Sequence, residues 1–289
     1  MRHLERRITD AIAANRPCWL PGIAGDLVAE FWAGTTFDPV SYATQAWLGS
    51  ECVTAGVPIP GMGTMQLEPL PAQYADRFMA PAYATVSQFA PRAIADALTR
   101  LKPSGAGDPV AHLIRSVHCV KAPGPGYDCS HSEPSVPFSV FVSVPYAEPD
   151  GELRLAESLL HEAMHLQLTL IERQIALTRA DGEHGYSPWQ QRQRPLLGLV
   201  HGLYVFAAIH GWLTCLSVEE NISDADRAYS KRRLRDIDQE IAQVIALPNA
   251  AGLTPFGRAF VIWLLEATGA TPAAATDARP RQAAVSSGK

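Results

Sequence analysis

The sequence has no CxxC pair. Its five cysteines (Cys18, Cys52, Cys119, Cys129 and Cys215) are odd in number and widely scattered. They read as reduced thiols of a cytosolic protein and not as a zinc-thiolate site. No basic block is long enough for a nucleic-acid surface, and Lys231, Arg232 and Arg233 read as a solvated helix face. The start, MRHLERRITDAIAA, is charged and lacks the apolar core of a secretory signal. The most apolar later stretch, 260–265, is far too short to span a bilayer. No internal repeat is visible. These absences set the expectation of a cytoplasmic protein with no nucleic-acid and no membrane partner.

The 289 residues are 47% hydrophobic and 18% charged with a net charge of −5, which suits a globular chain with a sizeable core. Residues 1–109 read as a mostly helical N-terminal portion, with Pro81 and Pro91 ending or kinking helices and KPSGAGDP (102–109) forming a loop. Residues 110–270 read as a catalytic portion of the same unit. Within it 113–121 is a candidate strand, 122–137 a Gly/Pro-rich loop, and 138–144 (FSVFVSV) the best strand of the chain. A long helix is expected over 153–178 and a more apolar one over 195–216. Ser223, with Asp226 three residues on, caps a further helix with the stripe Leu234, Ile237, Ile241 and Val244. A last helix spans 254–268, and 271–289 reads as a disordered tail. The expected fold class is α+β, mainly helical, with a small sheet packed beside the 153–178 helix.

That helix carries HEAMH. Residues four apart on a helix differ by about 40° around its axis, so His161 and His165 face one way and can reach one metal ion. Glu162 lies about 100° around from His161, within reach of a bound water or a supporting partner. Two histidines can also be ordinary helix-face residues, but these sit among Leu159, Leu160, Met164 and Leu166, where unpaired polar groups are costly to bury. For the third ligand the residues leave alternatives open. Leu168 and Ile171 stand where a metzincin protease needs Gly and His, which removes that class. A carboxylate among Glu172, Glu219 and Glu220 is one option. His201, 36 residues after His165 on the next helix, is the other. His210 lies nearly opposite His201 on that helix, so both cannot readily ligate.

HEAMH followed by YSPWQQRQRPLLGLVHGLYVF (186–206) resembles the HExxH-containing proteins encoded beside ribosomally made peptide natural products. There the motif helix is followed by a PW…RPL.G..HG.Y.F block. Pro188, Trp189, Arg194, Pro195, Gly198, His201, Gly202, Tyr204 and Phe206 fit that block, and the likeness covers roughly 110–270. Gln190 departs from it, since relatives often carry Arg there. The resemblance implies a zincin-like arrangement of helix and sheet. It further implies Fe(II)-, O2- and 2-oxoglutarate-dependent hydroxylation of a side-chain β-carbon in a precursor peptide. His161, His165 and His201 would then hold the metal.

The chemistry can be framed without the family. A zinc peptidase needs a metal-bound water and a general base, for which Glu162 is the candidate. An oxygenase needs three protein ligands on one face of iron and a cation for the distal carboxylate of 2-oxoglutarate. Arg194 stands seven residues before His201 for that task, unless it pairs with Asp181 or Glu183. The peptide is expected to add a strand along 138–144, contacting Phe138, Ser139 and Phe141, with Tyr127, His131 and Glu133 bordering the site. The competing expectation is that this apolar strand is internal, with Phe138 and Phe141 simply core.

Overall fold

The structure is a computed structural model and describes residues 2–34, 55–59, 63–67, 89–122, 124, 126–132, 138–145, 148–179 and 182–272. Among these residues the fold is mainly helical with a small mixed sheet, so the α+β expectation holds. In chain order the elements begin with α1 (Arg2–Ala13), α2 (Ala24–Ala33), β1 (Ala55–Ile59), β2 (Gly63–Leu67), α3 (Ala90–Leu101), α4 (Gly107–Leu113), β3 (Ser116–Val120), β4 (Ser130–Ser132) and β5 (Ser139–Ser143). They continue with α5 (Gly151–Glu172), β6 (His184–Ser187), β7 (Arg192–Pro195), α6 (Leu196–Ser217), α7 (Asp224–Ala242) and α8 (Pro255–Ala267).

The main sheet has the order β1-β2-β3-β5-β4. Its β3 and β5 run parallel, as do β2 and β3, while β1 and β4 are antiparallel to their neighbours. The N-terminal portion therefore supplies two strands of this sheet, where the sequence suggested helices alone. β5 is paired on both edges, and all five of its residues are buried. This overturns the expectation of a peptide adding along 138–144. Phe138 packs against the rings of Phe31 and Trp32, and Ser139 Oγ lies 2.6 Å from Ser116 Oγ. Phe141 is stacked between His118 and His131, its directly opposite neighbours on β3 and β4. The edge of the sheet is β4, inside the stretch read as loop. Likewise α4 occupies the end of KPSGAGDP, because Pro109 in a first helical turn loses no hydrogen bond.

α5 and α6 form the centre of the molecule. α5 buries an apolar face that includes Leu155, Leu159, Met164, Leu168 and Ile171. α6 is apolar nearly all round and carries the fully buried Tyr204 and Trp212, the pattern of a helix enclosed by its own protein. It is the longest apolar segment described. An 18-residue window within Leu196–Ser217 has mean hydropathy 1.6 and is 67% buried, so length and composition alone would let it cross a membrane. This segment, and not 260–265, is the long apolar one. Trp19 secures the N-terminal portion to this centre: its carbonyl accepts from Gln167 Nε2 (3.2 Å), and its ring fills the space above Gly211.

Two helix starts follow from side-chain caps. Ser223 Oγ accepts from the Asp226 amide at 3.1 Å, as its spacing suggested. Thr254 Oγ1 accepts from the Gly257 amide at 2.9 Å and donates to the Ala176 carbonyl at 2.7 Å, closing α8 onto the segment after α5. Thr254→Ala is therefore expected to cost about 1–2 kcal/mol. The readout is a lower urea midpoint at unchanged slope, and an unaltered midpoint would contradict this role for the cap.

Candidate metal centre

α5 and α6 bring three imidazoles together. His161 Nε2 lies 3.2 Å from His165 Nε2, and His165 Nδ1 lies 3.1 Å from His201 Nδ1. The ring centroids are 4.8 Å and 5.4 Å apart. His201 Nε2 in turn lies 3.0 Å from Glu172 Oε1, at the end of α5. Burial, reinforced by the Arg233 charge, pushes His161 down to about 4. Burial also holds His165 well below the usual histidine range, helped by His161, His201 and Arg194. Both rings are thus neutral at pH 7 and keep a lone pair for a ligand.

Among the described residues no group of three or more His, Cys, Asp or Glu side chains has its donor atoms arranged to hold a metal ion. The reason is visible at His165, which turns one ring nitrogen to His161 and the other to His201. Two imidazoles sharing one ion at about 2.1 Å place their nitrogens roughly 3.0–3.4 Å apart, a spacing that His161 and His165 match. Gathering the third requires the rings to turn. The other candidate ligands stand elsewhere. Glu219 and Glu220 follow the far end of α6, about 27 Å along the helix from His201 at 1.5 Å per residue. His210 lies 3.2 Å from Asp238.

Glu162 points to the sheet. Its Oε1 accepts from Ser130 Oγ at 2.7 Å, and the Ser132 side chain and backbone also bond to it. The carboxylate thus ties α5 to edge strand β4. Burial pushes its pKa up to about 7, against the pull of these three donors.

Between α5 and α6 the strands β6 and β7 pair as a hairpin. It lays Trp189, Gln190 and Arg194 over the first turns of α6. Two glycines one helical turn apart make the seat. A Cβ at Gly198 would stand 3.3 Å from Arg194 Nε, and one at Gly202 would run into the Trp189 ring. Trp189 stacks on Phe206 (centroids 5.3 Å, 8°), and Phe206 meets His161 edge-on at 5.6 Å. Arg194 Nη1 donates to Gln190 Oε1 at 3.1 Å, and Arg192 donates to the same oxygen. No carboxylate among the described residues pairs with Arg194. Glu183 instead accepts the Gly252 amide at 2.6 Å, and Asp181 lies outside the described residues.

Three adjoining clefts meet at His161. One of about 440 Å³ is walled by Trp189, Arg194, Leu197, His201 and Phe206. A second of about 350 Å³ runs past Ser130, His131, Ser132 and Glu162 to Leu166 and Thr169. The third, about 340 Å³, lies towards Asp128, Arg154, Tyr229 and Arg233. His131 is thus at the site as expected. Tyr127, 70% exposed, lines none of the three, and Glu133 lies outside the described residues. Ser130, Ser132, Trp189, Gln190 and Phe206 were not singled out for the site from sequence; only Trp189 and Phe206 carried a signal, as members of the PW…F block. A larger cleft of about 500 Å³ shares no residue with these and is lined by acids paired to arginine, such as Glu152 and Asp226 on Arg100.

No protein-family model matches the chain, and no curated protein matches it. The case for function therefore stands on the site itself. Gly202→Ala should displace Trp189 and loosen the hairpin, seen as faster hydrogen exchange over 184–195 while α5 stays protected. Unchanged exchange there would show that the ring is not seated as described.

Proposed function

We propose that the protein is an iron(II)- and 2-oxoglutarate-dependent hydroxylase acting on a side-chain β-carbon of a ribosomally made precursor peptide. The observation that carries this reading is Arg194. It is a guanidinium without a carboxylate partner among the described residues, on the wall of the cleft that holds His161, His165 and His201. A fixed cation beside the neutral rings of His161 and His165 suits an anionic cosubstrate. In this reading the three histidines hold the iron, with His201 completing the set, and Arg194 receives the distal carboxylate of 2-oxoglutarate. Bound iron would supply the oxidation of C–H to C–OH by O2, with 2-oxoglutarate converted to succinate and CO2.

The protein's own groups do the rest. Trp189 and Phe206 give the cleft an apolar wall that limits water, and Gln190 fixes the Arg194 guanidinium. Glu162 holds β4 against α5 and with it the position of His131. The pairing of α5 with an antiparallel edge strand supports a zincin-like arrangement of helix and sheet. The peptide would then lie along β4 and not along β5, and the protein would act in the cytoplasm.

One observation favours a second reading, a zinc peptidase. Glu162 borders the cleft and is held near 7, a useful value for a general base. Its three serine donors speak against it, because they occupy the oxygens a base would use.

The two readings separate in one assay. The purified protein is incubated in air with Fe(II), 2-oxoglutarate and the small peptide encoded beside its gene. Hydroxylation yields an intact peptide heavier by one oxygen, together with succinate. Glu162→Gln should retain partial activity, whereas loss of a peptidase base would cost several orders of magnitude. Arg194→Gln should raise the KM for 2-oxoglutarate about tenfold or more while metal content holds. His201→Ala should lose metal as fully as His161→Ala, and normal metal content in that variant refutes the ligand set. Two shorter fragments, formed with zinc and no 2-oxoglutarate, would establish the peptidase instead.

A further inference from the structure

Glu172 occupies an unfavourable place. It is the last residue of α5, where the helix dipole presents its negative end, and the last turn has no basic residue. Its side chain is only 19% exposed, and Oε1 is buried without an aligned hydrogen-bond donor. A carboxylate left like this lowers stability unless a particular neighbour answers it. That neighbour is His201, whose Nε2 is 3.0 Å away.

Helix geometry shows why the two meet. At 100° per residue, Glu172 falls at an azimuth between His161 and His165, on the same face of α5. It lies about 10 Å further along the axis than His165, too far for the three to share one ion. His201, reaching across from α6, fills the interval. One ring nitrogen faces Glu172 and the other faces His165 at 3.1 Å.

We propose that Glu172 is the positioning residue of His201: a turn of the ring, of the kind that gathering the third imidazole already requires, lines Nε2–H up on the carboxylate 3.0 Å away, which accepts it and leaves Nδ1 as the lone-pair nitrogen on the His165 side. A neutral imidazole carries one proton, and the nitrogen that holds it is set by the partner of the other. The ligand served is a divalent transition-metal cation. The role at the metal rests on the reading of the three histidines as ligands, while the proton assignment can be tested without any metal. Glu172 thereby leaves the set of candidate direct ligands and becomes the group that selects which His201 nitrogen is offered.

The test has a metal-free arm and a metal arm. In metal-free protein labelled with 15N-histidine, long-range 1H–15N spectra should give His201 as the Nε2–H tautomer. Glu172→Ala should convert it to a mixture or to Nδ1–H. In Co(II) titrations Glu172→Ala should bind about 10–100-fold more weakly, with an altered visible absorption band. Glu172→Gln should recover most of that loss, because its amide oxygen still accepts from Nε2–H. If Glu172→Ala does not fold, Glu172→Gln against Glu172→Met carries the same comparison. An Nδ1–H tautomer in the unsubstituted protein overturns the proposal, as does a Glu172→Ala protein with unchanged tautomer and unchanged Co(II) affinity. An Nε2–H tautomer lost in Glu172→Ala, in a protein that binds no Co(II), upholds the proton assignment and removes the metal reading instead.

Discussion

The seam between α5 and α6 is the constraint around which the rest is arranged. Both helices are 22 residues long and mostly buried, yet the seam carries His161, His165, Glu172 and His201. Polar groups in such a place need partners, since an unanswered one costs of order 1–3 kcal/mol. The histidines answer one another, and Glu172 stands against His201. Glu162, its Oε1 3.9 Å from His161 Nε2, is turned to the serines of β4. The same arrangement keeps His161 and His165 neutral, because the burial that makes them costly also lowers their affinity for protons. Structural accommodation and readiness to bind a cation therefore have one cause.

A second constraint is steric. The hairpin can close over the seam only where α6 presents no side chain, and Gly198 and Gly202 provide that strip. Arg194 lies on the first and Trp189 on the second, so one short run of chain sets both a cation and an apolar wall at the cleft. Phe206, one turn beyond Gly202, receives the Trp189 ring and carries the contact on to His161. Packing and chemistry share the same residues, which is why the block from 188 to 206 reads as a unit.

What the sequence disclosed, and what it did not, follows from how each element earns its stability. α5, α6, α7 and α8 show apolar periodicity near 3.6 or explicit caps at Ser223 and Thr254, and these are local signals. HEAMH is equally local, since two side chains one turn apart need only a helix to face together. β6 and β7 are short, polar and mostly exposed, so no alternation betrays them. They exist because α6 offers a glycine strip, a tertiary fact. β4 has three residues inside a Gly/Pro-rich stretch and is held by β5 and by Glu162. The error over β5 is of another kind. The β-branched and aromatic residues of FSVFVSV identify a strand, and its apolar content suggests burial, but neither says which strands flank it. Ser139 and Ser143 are the two polar residues of this stretch. In the fold they are buried, Ser139 against Ser116 and Ser143 bonded to the Cys129 amide at 2.9 Å.

The electrostatics of the seam bear on which chemistry it suits. Of the two carboxylates nearest the imidazoles, Glu162 is held by three serine groups and Glu172 stands against the outer nitrogen of His201. Neither adds an unengaged negative charge to the cleft. Arg194 adds a positive one, which adds slightly to the burial that holds His165 down. A divalent cation held there by three imidazoles beside a guanidinium would leave a surplus of positive charge that no unengaged carboxylate among the described residues at the cleft balances. Water answers such a surplus poorly in a cleft walled by Trp189 and Phe206. A dianion, with one carboxylate for the metal and the other for Arg194, would answer most of it. A neutral peptide bond, the substrate of a peptidase, leaves it standing. The balance of charge therefore favours an anionic cosubstrate, independently of any likeness between this sequence and others.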